Sequence, residues 1–86
     1  MGGDPLYQFD EFIRINKELK EKINLKIACY TGYTLNDFSE EQKQQLLSVV
    51  DILIDGKWQG IPVTDEKSNQ KIYINKDNKF LNITYN

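Results

Sequence analysis

The chain has 86 residues, enough for one small single domain. Hydrophobic residues make up 40% and charged residues 28%, the balance of an ordinary globular protein. Eleven basic residues against 13 acidic ones leave a net charge of −2, which gives no reason to expect the basic surface of a nucleic-acid binder.

The opening, Met1-Gly2-Gly3-Asp4-Pro5, lacks the basic and apolar regions of a secretory signal, and no apolar run approaches the ~20 residues that cross a bilayer. A cytoplasmic location is therefore expected. Residues 1–7 read as a turn, because Gly2-Gly3 tolerates unusual backbone angles and Pro5 steers Asp4 away from helix. A helix is predicted from Gln8 to Asn24, with Phe9, Phe12, Ile13, Leu19 and Ile23 on one face at three- and four-residue intervals. Ile15 falls off that stripe.

Lys26–Thr31 is short and apolar and reads as a strand buried on both faces, ended by Gly32. Cys29, the chain's one cysteine, sits inside it and reads as a small buried hydrophobe. With one cysteine and no histidine there can be no intrachain disulfide. The usual metal-ligand sets and the commonest neutral-pH base are also missing. Ser39 and Gln42 form a capping box, and Glu40 and Glu41 suit the positive end of a helix dipole, so a second helix is expected to about Val49. Val50–Asp55 reads as a second buried strand stopped by Gly56. The β-α-β order predicts parallel strands with a right-handed crossover. Residues 57–70 read as an irregular loop. Lys71–Asn75 and Phe80–Tyr85 alternate apolar and polar positions around a turn at residues 76–79, which predicts a C-terminal hairpin. The expected fold class is α/β, in the order α-β-α-β followed by a hairpin.

Ligands of open parallel sheets bind at the carboxyl ends of the strands. Those ends are Thr31-Gly32-Tyr33 and Asp55-Gly56-Lys57, and Gly2-Gly3-Asp4 opens the helix that would descend from a third. Taken singly, each is an ordinary turn. No phosphate-binding glycine loop is present. Asp51 and Asp55 face one side of their strand without a converging partner group. The tyrosines are not interleaved with basic residues, as a stacking platform for single-stranded nucleic acid would need. No catalytic or metal-ligating residue is nominated.

Taken together and in order, four segments carry a resemblance: Gly2-Gly3-Asp4-Pro5-Leu6, Tyr30-Thr31-Gly32-Tyr33-Thr34-Leu35, Val50–Lys57 and Ser68-Asn69-Gln70. Over residues 2–74 the chain resembles the C-terminal half of the anaerobic ribonucleoside-triphosphate reductase activating proteins, which are radical S-adenosylmethionine (radical SAM) enzymes. That family holds a four-iron cluster on a CxxxCxxC loop, cleaves S-adenosylmethionine and installs a glycyl radical on the reductase. The resemblance implies a partial radical SAM barrel. It also implies that Gly2, Gly3 and Asp4 contact the methionine ammonium, with Thr31, Gly32 and Tyr33 on the same rim.

Departures from the family pattern limit what carries over. The cysteine loop is missing, Met1 stands where Ser or Thr is usual, and Asp65-Glu66-Lys67 replaces the Arg-Gly before Ser-Asn-Gln. Without thiolates the chain is expected to bind no cluster, to bind S-adenosylmethionine weakly at best, and to be inactive alone. Three explanations stay open: a remnant, one half of a two-chain enzyme completed by an N-terminal fragment, or an autonomous binding or regulatory module. Expected partners are the anaerobic reductase, the complementary fragment, or a second copy paired through an exposed strand edge.

Overall fold

A computed structural model of the chain describes residues 4–57, 60, 61, 65 and 67–84. Gly2, Gly3, Tyr85 and part of the 57–70 loop lie outside the described residues.

Asp4 starts the fold. Its side chain accepts a hydrogen bond from the Leu6 amide at 2.9 Å and caps a short 3₁₀ turn, Pro5–Gln8. That turn leads directly into helix α1, Phe9–Lys22. Acidic residues Asp10 and Glu11 lie in the first turn of α1 and Lys20 and Lys22 in the last, both complementing the helix dipole. The predicted stripe is only partly buried. Ile13 is enclosed and Phe9 and Phe12 pack on the core, whereas Leu19 and Ile23 are exposed, as is Ile15. Ile23 has already left the helix in an extended conformation, so its helical phase is lost.

Strand β1 is Ala28–Tyr30, shorter than the predicted six residues. A second 3₁₀ turn, Leu35–Asp37, links it to helix α2, Glu40–Val49. The capping box forms as read: Ser39 Oγ accepts from the Gln42 amide at 3.1 Å, and Gln42 Oε1 accepts from the Ser39 amide at 3.0 Å. Strand β2 is Ile52–Asp55, and strands β3, Lys71–Lys76, and β4, Lys79–Asn82, make the hairpin. Asp77 and Asn78 bridge that hairpin with φ of 54° and 62°. Two successive left-handed residues are what a twist-matched two-residue turn needs.

The sheet order is β1-β2-β3-β4. β1 and β2 are parallel, and β2-β3 and β3-β4 antiparallel. Cys29, Leu53 and Tyr73 stand in one register row and join the core with Leu6, Ile13, Phe38, Leu46, Val49 and Val50. Both helices therefore cover this one face.

The opposite face carries two apolar rows, Tyr30–Ile54–Ile72 and Ala28–Ile52–Ile74–Leu81, outside that cluster, although Ile54 is itself buried. Tyr30 is 64% exposed, Leu81 47% and Ile52 37%. The expectation that β1 is buried on both faces is thus corrected. Its burial alternates, because helices pack on only one side of the sheet.

Candidate functional site

The carboxyl ends of β1 and β2 and the amino end of antiparallel β3 meet at one edge of the sheet. A cleft of about 620 Å³ opens there, lined by Asp4, Pro5, Tyr30, Thr31, Gly32, Gly56, Lys57 and Gln70. Asp4 and Pro5 arrive from the 3₁₀ turn before α1, Tyr30 from the end of β1, and the others from turns beside β1, β2 and β3.

Asp4 is the node of this edge. Its carboxylate accepts from the Thr31 hydroxyl, at 2.8 and 2.9 Å to its two oxygens, from the Gly32 amide at 2.5 Å and from the Leu6 amide. Three in-chain donors leave little acceptor capacity for anything else. Thr31 is buried, and its hydroxyl also accepts from the Tyr33 amide at 3.2 Å. A Cβ on Gly32 would stand 3.4 Å from Asp4 Oδ2, an ordinary van der Waals contact, so the bond to the carboxylate does not itself demand glycine there.

Of the residues predicted from sequence, Asp4, Thr31 and Gly32 therefore come together on the cleft. Tyr33 does not line it. Its ring packs edge-on against Phe38, with centroids 5.9 Å apart, and its carbonyl accepts from the Gly56 amide at 2.9 Å. Gly2 and Gly3 lie outside the described residues.

Gly56 and Lys57, from one of the strand-end turns read as a candidate ligand edge, complete the wall together with Gln70, which was not assigned a ligand role from sequence. Gly56 has φ of +90°, and a Cβ there would meet the Asn69 carbonyl oxygen at 2.7 Å. The Ser68-Asn69-Gln70 segment can seat on the β2 end only because that position is bare. Gln70 Nε2 donates to the Gly56 carbonyl at 3.2 Å, and Ser68 Oγ accepts from the Gln70 amide at 3.1 Å. Lys57 is exposed on the rim, and among the described residues its ammonium makes no hydrogen bond or ion pair. The signal for these residues was present in the Asp55-Gly56-Lys57 and Ser68-Asn69-Gln70 segments. What sequence could not give was their contact across 14 residues of chain.

Two carboxylates, Asp51 just before β2 and Asp55 at its end, do not line the cleft. Asp55 is buried and accepts from the Leu35 amide at 2.7 Å and the Lys71 amide at 3.2 Å, tying the second 3₁₀ turn to β3. Burial pushes its pKa above the ordinary carboxylate value, against the pull of those two amides. Asp51, at the far end, accepts from Lys20 Nζ at 2.7 Å and from the Ile27 amide at 2.8 Å. Partial burial alone would raise its pKa, but the bonds from Lys20 and Ile27 and the charges of Lys20 and Lys26 outweigh it, and the net shift is downward.

Cys29 lies on the helix side of β1, 3% exposed. Burial, and secondarily the charge of Asp4, pushes its thiol up to about 12.

A sequence model of the 4Fe-4S single cluster domain family matches residues 1–79, nearly the whole chain. This chain belongs to that family. No curated protein and no solved structure matches it.

The residues present do not fit the family's cluster. A 4Fe-4S cluster is held by several cysteine thiolates, and the chain has one thiol, protonated and enclosed. Among the described residues no three His, Cys, Asp or Glu side chains converge as a metal site. No helix among them is long and apolar enough to cross a membrane.

Proposed function

We propose that the chain is a cluster-free remnant or half of a radical SAM glycyl-radical-activating protein, of the kind that activates anaerobic ribonucleotide reductase. In this reading it keeps the ligand-side scaffold and performs no radical chemistry by itself. The observation that supports it is the convergence of Asp4, Thr31-Gly32, Gly56-Lys57 and Gln70 on one cleft at the carboxyl ends of parallel strands. These residues come from all four of the segments that carry the family resemblance.

The chemistry suits one end of an amino-acid-bearing ligand. The Lys57 ammonium supplies a cation for a carboxylate, and the Tyr30 ring and Pro5 supply apolar wall. Asp4, already bonded to three donors, positions the turn. Any contact to a ligand ammonium then falls to backbone carbonyls near the glycines. With a single anchoring charge on an open rim, weak binding of S-adenosylmethionine is expected.

Calorimetric titration with S-adenosylmethionine tests this reading. Weak, saturable binding that drops at least several-fold in Lys57→Ala, with no 5′-deoxyadenosine formed under reductant, is the expected result. Absence of saturable binding at millimolar ligand overturns it.

A second reading, a non-catalytic module that pairs with another chain, is favoured by the exposed Tyr30, Ile52 and Leu81 on the second sheet face and by the position of β1 at the edge of the sheet among the described residues.

A further inference from the structure

We infer that this member of a 4Fe-4S family folds and carries its cleft independently of iron, with Cys29 serving as core packing and never as a cluster ligand. The inference concerns this chain's own residues and stands whether or not S-adenosylmethionine is the ligand of the cleft.

Geometry carries it. Cys29 occupies the middle of β1, in register with Leu53 and, across the sheet, Tyr73, so its side chain points under the helices. The cleft opens past the strand end and does not include Cys29. Strand alternation fixes these directions. Turning Sγ toward the cleft would turn Ala28 and Tyr30 into the core, which the parallel pairing with β2 forbids. A second copy adds only one more equally enclosed thiol, so pairing two chains does not assemble a ligand set either. Desolvation of the enclosed thiol, with the Asp4 charge a lesser contribution, favours its protonated form.

The test uses the full chain, purified without oxygen and incubated with ferrous iron, sulfide and reductant, then desalted. The expected result is no visible charge-transfer band and iron no higher than in Cys29→Ala treated identically. A chelator should leave Tm unchanged. A stoichiometric four-iron chromophore, or iron retention lost on Cys29→Ala, overturns the inference.

Thiol labelling supplies a second readout that needs no variant. Cys29 in native buffer should react roughly a hundredfold or more slowly than in urea, because reaction waits for β1 to open. Labelling at the unfolded rate under native conditions overturns the inference independently of the iron result.

Discussion

Gly56 shows how one residue fixes the site. Its backbone lies in the left-handed region, and the Asn69 carbonyl occupies the place of a Cβ. Gly56→Ala therefore meets both penalties, strain and collision with backbone that cannot swing aside. It is expected to lose about 2–4 kcal/mol, read as a lowered urea midpoint. Gly60 has φ of +75° with open space around it, so Gly60→Ala should cost only about 1 kcal/mol. Equal losses at the two positions would mean that the Asn69 contact is not made in solution.

Asp51, just before β2, and Asp55, at its end, differ in sign. Asp51 has a folded-state pKa below its unfolded value of about 3.9. Its contribution is thus complete above that value and is lost as pH falls through the folded one. Asp51→Asn should destabilise by about 1–2 kcal/mol at pH 7, through loss of the charged bond to Lys20, and the difference from wild type should shrink toward acid pH. Asp55 is raised instead, so the stability tied to its protonation is present below the unfolded value and fades as pH rises through the folded one. Denaturation curves of Asp51→Asn and Asp55→Asn across acid pH check the two signs.

At the scale of the element, α2 depends on its cap more than α1 does. Gln8, at the head of α1, makes no side-chain cap bond, and the preceding 3₁₀ turn anchored by Asp4 introduces the helix instead. Ser39 and Gln42 satisfy each other's amides at α2, which has only ten residues. Ser39→Ala should cost about 1 kcal/mol and Ser39→Asp close to nothing, measured by thermal unfolding. The cap matters beyond α2, since Phe38 immediately before it receives the rings of Phe9 and Tyr33 and so links α1 and the β1 turn. The hairpin depends on Asp77 and Asn78, two residue types that tolerate positive φ.

At the scale of the whole molecule, both described helices cover one face of the sheet, and on the other Tyr30, Ile52 and Leu81 are exposed while Ile54 is buried. The bonds Thr31 N to Ile54 O and Ile52 N to Ile27 O show which backbone groups β1 spends on β2. By alternation, the amides and carbonyls of Ala28 and Tyr30 point toward the free edge. A second copy pairing antiparallel through this edge satisfies the same groups on both chains and joins the two apolar faces. Sedimentation should therefore show concentration-dependent dimerisation, weakened by Tyr30→Lys with the fold intact by circular dichroism. A monomer at the highest soluble concentration would remove this reading.

The sequence by itself determined the element order, the capping box, the hairpin and the lack of cluster ligands, because these rest on local periodicity, side chain to backbone bonding and simple residue counts. It also located the three strand-end turns. Only the tertiary structure decided that Asp4 is occupied by Thr31, Gly32 and Leu6, that Tyr33 braces against Phe38, and that Gly56 and Gln70 meet. The partial exposure of the second sheet face was likewise invisible, since an apolar strand reads the same whether one face or both are covered. Each of these depends on which distant segments come into contact, and local pattern carries no information about contacts made across the chain.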